Sequence, residues 1–372
     1  MSSTAQRVTG AWLDGDPVGD RRFVDLPGLA LELGDTLPGV RLAYESWGRL
    51  SPARDNAVLV LHALTGDSHA TGAAGPGHPT PGWWEGVIGP GLGLDTDRWF
   101  VICPNSLGGC QGSTGPASPA PDGRPWGSRW PDITLRDQVG VELALADALG
   151  INAWAAVVGG SMGGQRALEW AVEAPDRVDR MIVLAANTEA SADQIAICSI
   201  QLDAIRADPH WLGGDYYDDP VGPHIGMGIA RRIAHLTYRT AADVDNRFGR
   251  GWQDEVDPLR GGRYAVQSYL QHAEDGLRNR FDANSYLSLT SAMNGHEIGR
   301  GRGGTRAALS RLRAVSTVAG VDSDRLYPFH QQVELAELLG VRPIVIHSDR
   351  GHDGFLVETE QVNAILTAAL RG

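Results

Sequence analysis

The sequence predicts a doubly wound α/β fold, and three observations predict it. Short apolar runs without polar alternation recur at residues 57–61, 99–102, 154–158, 181–184, 315–321 and 343–346. Helical patterns closed by glycine or proline separate several of them. The chain, at 372 residues, is long enough to bury a sheet on both faces. An apolar run that never alternates has no face to give to water, which is the condition of a parallel strand with helices above and below it.

The elements follow in order. Residues 1–22 carry no periodic pattern and are expected to form a mobile arm. Two extended stretches, 29–33 and 40–47, come next, with turn residues between them. Thr134 and Asp137 supply an N-cap and a first-turn acid for a helix over 139–149, which Gly150 ends. A second helix is expected over 161–174, where Pro175 stops it. A third spans 331–339 and ends at Gly340, and a last one runs from Asp353 or Gly354 to residue 370. Segments 65–97 and 103–132 are long and rich in Gly, Pro and Trp, as functional loops on a rigid scaffold are. Residues 189–312 read as a helical lid inserted in the core, so the core is expected to be 1–188 with 313–372.

Composition narrows the function. The chain is 42% hydrophobic and 21% charged, with net charge -13. A surface of that sign repels phosphate at long range and argues against nucleic acid as a partner. All 32 basic residues are arginine, so lysine Schiff-base chemistry is excluded. Cys103, Cys110 and Cys198 are too few and too scattered for a disulfide framework or a zinc site, and no metal or cofactor is expected. No secretion signal is visible in residues 1–16, and the apolar runs are far short of the roughly 20 residues a membrane span needs. A cytoplasmic, membrane-free enzyme is the expectation.

The chemistry is carried by Gly159-Gly160-Ser161-Met162-Gly163-Gly164, which lies between the 154–158 strand and an apolar helix. A G-x-S-x-G turn in that setting holds serine in a strained backbone conformation and exposes its hydroxyl, while the glycines let helix and strand approach closely. The helix N-terminus offers N–H groups to a developing oxyanion. A serine nucleophile needs a base, and the base an orienting carboxylate; in the α/β-hydrolase fold these follow in the order Ser, acid, His. The acid position after the 315–321 strand offers Asp322 and Asp324, which spacing alone does not separate. The loop after the last strand offers His352. Two oxyanion donors are expected, the backbone N–H of Met162 and that of Leu64 in the loop after 57–61.

These features extend into a resemblance that covers almost the whole chain. HALTGDSHA at 62–70, NSLGGCQGSTGPASPAP at 105–121, GGSMGGQRALEW at 159–170, ARRIAHLTYR at 230–239, RFDANSYL at 280–287, GVDSDRLYP at 320–328 and GHDGFLVE at 351–358 resemble the homoserine O-acetyltransferase family in its actinobacterial form. The resemblance implies transfer of an acetyl group from acetyl-CoA, a co-substrate, to the hydroxyl of L-homoserine through an acyl-serine, in methionine biosynthesis. It implies Asp324 rather than Asp322 as the acid. It also implies Arg231 for the acceptor's carboxylate, Asp353 for its ammonium group, and Tyr238 and Thr65 as further pocket residues. A homodimer built through the insertion is implied too, with the lid roofing a tunnel to Ser161. Arginines of the lid are placed to attract the phosphates of CoA. A succinyl donor, a serine acceptor and a plain serine esterase are the rival readings on the same triad.

Overall fold

The computed structural model describes residues 7–371. Its centre is an eight-stranded sheet of β1 (Arg22–Ala30), β2 (Thr36–Trp47), β3 (Ala57–Leu61), β4 (Phe100–Pro104), β5 (Ala156–Gly160), β6 (Arg180–Leu184), β7 (Val315–Val321) and β8 (Ile344–Ile346). In space the order is β1-β2-β4-β3-β5-β6-β7-β8. The β1–β2 hairpin and the β2–β4 pair are antiparallel, and every other pair is parallel. This is the predicted doubly wound architecture.

The parallel strands behave as their sequences require. All five residues of β3 and of β5 are buried, because one face packs on α1 (Leu135–Ala148), α2 (Met162–Glu173) and α9 (Phe329–Leu339), while the other packs on α11 (Thr359–Ala369) and the 84–94 loop. Thr134 caps α1 with a reciprocal capping box to Asp137, and Gly340 closes α9 in the left-handed conformation. Between β6 and β7 the chain leaves the sheet through α3 (Ala192–Arg206), α4 (His224–Tyr238), α5 (Ala241–Phe248), α6 (Ala265–Arg278), α7 (Ala283–Asn294) and the short α8 (Thr305–Leu309). A third apolar cluster, including Met162, Leu64, Met227, Phe281 and Tyr286, joins these helices to the nucleophile end of the sheet.

Two expectations are corrected. Residues 7–22 do not form a mobile arm: Thr9 and Ala11 are buried, Gly10 N–H donates to Phe281 O (3.1 Å) and Trp12 N–H to Cys110 O (2.9 Å). Residues 1–6 lie outside the described residues. The last helix is not continuous from 353 or 354 to 370. A 3-10 turn (Gly351–Asp353), α10 (Gly354–Val357) and α11 follow one another, with a break at Glu358 whose carboxylate accepts from the Ser348 hydroxyl (2.7 Å). The tie to Ser348 favours the break, although no Gly or Pro marks it in sequence.

Candidate active site

Strand β5 delivers Ser161 at its carboxyl end with φ 56° and ψ −125°, a conformation that costs a non-glycine residue on the order of 1–3 kcal/mol. Packing enforces it. A Cβ on Gly163 would sit 1.9 Å from Leu61 O, and one on Gly159 would sit 2.1 Å from Gly163 O. The start of α2 therefore passes directly against the end of β3, and the serine is lifted out of the helix line as the sequence pattern requires.

Asp324 lies in the turn after β7. Its Oδ1 accepts from the amides of Leu326 (2.8 Å) and Tyr327 (2.9 Å), and its Oδ2 is 2.6 Å from His352 Nδ1. A carboxylate can only accept there, so Nδ1 carries the proton and Nε2 presents a lone pair. Nε2 faces Ser161 Oγ at 2.9 Å. All three side chains are buried. Asp322 points elsewhere: it faces His347 Nδ1 (2.8 Å) and accepts from Ser348 N–H (3.2 Å) near the surface. The choice that sequence left open falls to Asp324. The imidazole is also fixed by aromatic rings. Tyr327 stacks on it (5.0 Å, 20°) and Phe355 meets it edge-on (5.3 Å, 67°).

Met162 opens α2, so its N–H has no intrahelical acceptor. Leu64 is the second residue of a turn closed by Gly66 N–H to Ala63 O (2.9 Å), and its own N–H has no hydrogen-bond acceptor among the described residues. Ala63, Leu64 and Thr65 line the same cavity as Ser161 and His352.

That cavity, of about 200 Å³, also gathers Arg231, Tyr238, Arg280, Asp353, Trp83 and Met293. Arg231 comes from α4, and its Nε and Nη1 are buried with no hydrogen-bond partner among the described residues. Its guanidinium lies 5.7 Å from the Tyr238 ring centre. Two buried guanidinium nitrogens without acceptors are costly unless a ligand accepts from them. Asp353 pairs with Arg239 (3.2 Å); burial raises its carboxyl pKa, opposed by Arg239. Burial likewise raises the Tyr238 phenol to about 12, so it remains a neutral donor. All four predicted pocket residues therefore lie in the cavity with the nucleophile. A larger depression of about 490 Å³, beside α7 and Trp130, holds no nucleophile paired to a base, and the chemistry places the site at Ser161.

Sequence reasoning assigned no role to Arg280 or to the ring of Tyr327. Both lie inside quoted motifs, RFDANSYL and GVDSDRLYP, and that is the signal that could have found them. Among the described residues one group of metal-type side chains comes together, Asp20, Glu45, His69 and His78. The two imidazoles stack face to face (3.8 Å, 12°), and one ligand-type atom from each of the four residues lies within 4.8 Å of the others. Glu45 is taken up by Ser68 (2.9 Å) and His69 (2.9 Å). Glu45, His69 and His78 are buried and Asp20 is exposed. The three cysteines are free and buried, and burial pushes the Cys198 thiol up to about 11.

Comparison with known proteins bears on the fold and the family. The family model for the alpha/beta hydrolase fold matches residues 56–359. A curated homoserine O-acetyltransferase of Thermobifida fusca (strain YX) is 63% identical over 98% of this chain and 97% of its own. A crystal structure of homoserine O-acetyltransferase from Bacillus anthracis superposes with TM-score 0.86 at 28% identity, covering 95% of this chain and 97% of that one. The crystal structure of esterase E22 gives the same TM-score at 26% identity, covering 94% and 99%. Fold alone thus accommodates both transferases and esterases, and sequence decides between them: the chain belongs to the homoserine O-acetyltransferase family of the α/β-hydrolase fold.

Proposed function

We infer that this chain transfers the acetyl group of acetyl-CoA to the side-chain hydroxyl of L-homoserine, as a step of methionine biosynthesis. The observation that carries the reading is a Ser161–His352–Asp324 relay whose Ser161 and His352 share a cavity with Arg231, two of whose guanidinium nitrogens are buried without a partner. A relay alone fits any serine hydrolase. A free cation beside it fits an acceptor that carries a carboxylate.

The roles follow from position. His352, oriented by Asp324, takes the Ser161 proton as Oγ attacks the thioester carbonyl. The tetrahedral oxyanion takes hydrogen bonds from the N–H groups of Met162 and Leu64. The C–S bond then breaks, CoA leaves with the proton from His352, and acetyl-Ser161 remains. Homoserine enters with its carboxylate on Arg231 and its ammonium group on Asp353, while Tyr238 and Thr65 complete the pocket. His352 deprotonates its hydroxyl, which attacks the acetyl-Ser161 carbonyl, and O-acetylhomoserine leaves with Ser161 reprotonated. Water competes for the same intermediate, and a cavity lined only by buried and half-buried residues favours a bound acceptor. The reading carries with it a homodimer formed through the 189–312 insertion, acting as the lid, and a cytoplasmic location. Among the described residues no helix is long and apolar enough to cross a membrane.

The deciding experiment follows free thiol released from acetyl-CoA or succinyl-CoA, with and without L-homoserine or L-serine. Sustained release should need acetyl-CoA and homoserine together. Fast steady-state release without an amino acid would instead mark an esterase. Ser161→Ala should lose on the order of 10⁴-fold or more in kcat. Arg231→Ala should raise the KM for homoserine roughly 10- to 100-fold, the worth of a charge-assisted hydrogen bond. An unchanged homoserine KM in that variant would remove Arg231 from the carboxylate role.

A further inference from the structure

The motif at 280–287 has so far an assigned fold but no assigned chemistry. Arg280 lies between α6 and α7, within the helical insertion, and lines the cavity of Ser161. Its burial lowers the guanidinium pKa, and no carboxylate among the described residues forms an ion pair with it within 4.0 Å. A half-buried cation without a paired anion still needs partners for its N–H groups. One partner is a backbone carbonyl: Nη1 donates to Thr65 O at 2.5 Å.

Thr65 is the third residue of the Ala63–Gly66 turn, directly after Leu64. On the other side of Leu64, the carbonyl of His62 accepts from Arg166 Nη2 (3.1 Å), and Arg166 is itself held by Glu142 (3.0 Å). His62 is tied down further by Ser106 N–H donating to its Nε2 (3.0 Å). The two carbonyls that flank Ala63 and Leu64 are thus gripped by two arginines, the buried Arg166 from α2 just after the nucleophile and the half-buried Arg280 from the insertion. The root of Arg280 is fixed as firmly as its tip. Its carbonyl accepts from Gln111 Nε2 (2.7 Å), and the next two residues are held by Gly10 N–H and by the Thr9 hydroxyl on Asp282 (2.8 Å). Asp282 in turn takes the hydroxyls of Tyr216 (2.5 Å) and Tyr217 (3.1 Å).

We propose that Arg280 is a positioning residue for the oxyanion donor at Leu64, so that the insertion completes the oxyanion hole as well as covering the site. The proposal rests on the assignment of the Leu64 N–H under the function above. An oxyanion donor works only when it is held where the charge will develop, and displacement by about 1 Å costs on the order of 100-fold. A turn of four residues after a strand does not hold such a position unaided; here both flanking carbonyls are clamped.

The test uses the full-length enzyme as Arg280→Met and Arg280→Lys, with stopped-flow measurement of the first turnover of CoA release from acetyl-CoA, and separate steady-state titration of homoserine. Arg280→Met should slow acylation roughly 10- to 100-fold. The KM for homoserine and the pH dependence of acylation should not move, because the triad is untouched. Arg280→Lys, which can still donate to one carbonyl, should recover part of the rate. Should Arg280→Met fail to give a wild-type circular dichroism spectrum, Arg280→Lys decides: slowed acylation with unchanged homoserine KM supports the proposal. Wild-type acylation in either folded variant would overturn it. So would a raised homoserine KM with acylation intact, which would make Arg280 a second carboxylate ligand. Failure of the underlying reading is distinguishable on the wild-type enzyme, which would then either release no CoA from acetyl-CoA or release it at steady state without homoserine.

Discussion

Asp322 and Asp324 are two residues apart and chemically identical, yet their surroundings give them different work. Asp324 accepts two backbone N–H groups on one oxygen and faces the imidazole with the other. Asp322 sits near the surface with His347. Asp324→Asn should therefore keep the fold but hold the wrong imidazole tautomer, because an amide can donate where the carboxylate only accepts. A loss of about 10⁴-fold in kcat is expected, measured as homoserine-dependent thiol release, while Asp322→Asn should stay near wild-type. Comparable losses in both variants would remove the distinction. Ser161, His352 and the pair of possible acids were legible in sequence because motif and chain order restrict them to strand ends. The choice between the acids was not legible from spacing, since it depends on which carboxylate the turn after β7 directs inward. Arg280 was hidden for a related reason: its partner, the Thr65 carbonyl, is 215 residues away and belongs to the backbone, which carries no signature in sequence.

At the scale of the element, the strand–turn–helix of β5, Ser161 and α2 is set by close approach. A Cβ at Gly163 would lie 1.9 Å from Leu61 O and 2.7 Å from Leu61 C, both backbone atoms that cannot swing aside. Gly163→Ala should then force β3 and α2 apart, costing more than about 4 kcal/mol and leaving little soluble protein. Gly276 gives the contrast. It lies within α6, where an added Cβ meets nothing within 4 Å, so Gly276→Ala should stabilise by about 0.5–1 kcal/mol through helix propensity. Denaturant melts of the two variants check both signs, and a Gly163→Ala protein as stable as wild-type would contradict the packing argument. The strands themselves were readable because burial on both faces leaves an unbroken apolar run; 57–61 coincides with β3, buried throughout. The break at Glu358 and the docking of residues 7–22 were not readable. Each is decided by a tertiary hydrogen bond, Ser348 to Glu358 and Thr9 to Asp282, that overrides the local pattern.

For the whole molecule, the insertion leaves one feature that the single chain does not satisfy. On α4, Ile225, Ile229 and Leu236 are 69%, 37% and 42% exposed, and their spacing of four and seven residues puts them on one helical stripe. On α3, Ile195 and Ile200 are also exposed, at 40% and 57%, and α3 packs against α4. Apolar side chains scattered over a surface need no partner, whereas a stripe continued onto a neighbouring helix is what an interface presents. A second copy of the chain, related by a two-fold axis, would meet the same stripe with its own, the simplest closed arrangement. The α4 helix also bears Arg231, which lines the cavity of Ser161, so an interface there would steady the helix that carries the proposed carboxylate ligand. Light scattering at micromolar concentration should accordingly return twice the 39.7 kDa of one chain. Ile225→Glu combined with Leu236→Glu should return a monomer, since two buried charges without partners oppose association in each copy. That monomer should also bind homoserine more weakly than the wild-type dimer, seen as a raised KM, because α4 loses its support. A wild-type chain that scatters as 39.7 kDa would rule out the dimer, and a charged variant that remains dimeric would place the contact elsewhere; either leaves the stripe on α4 without a partner.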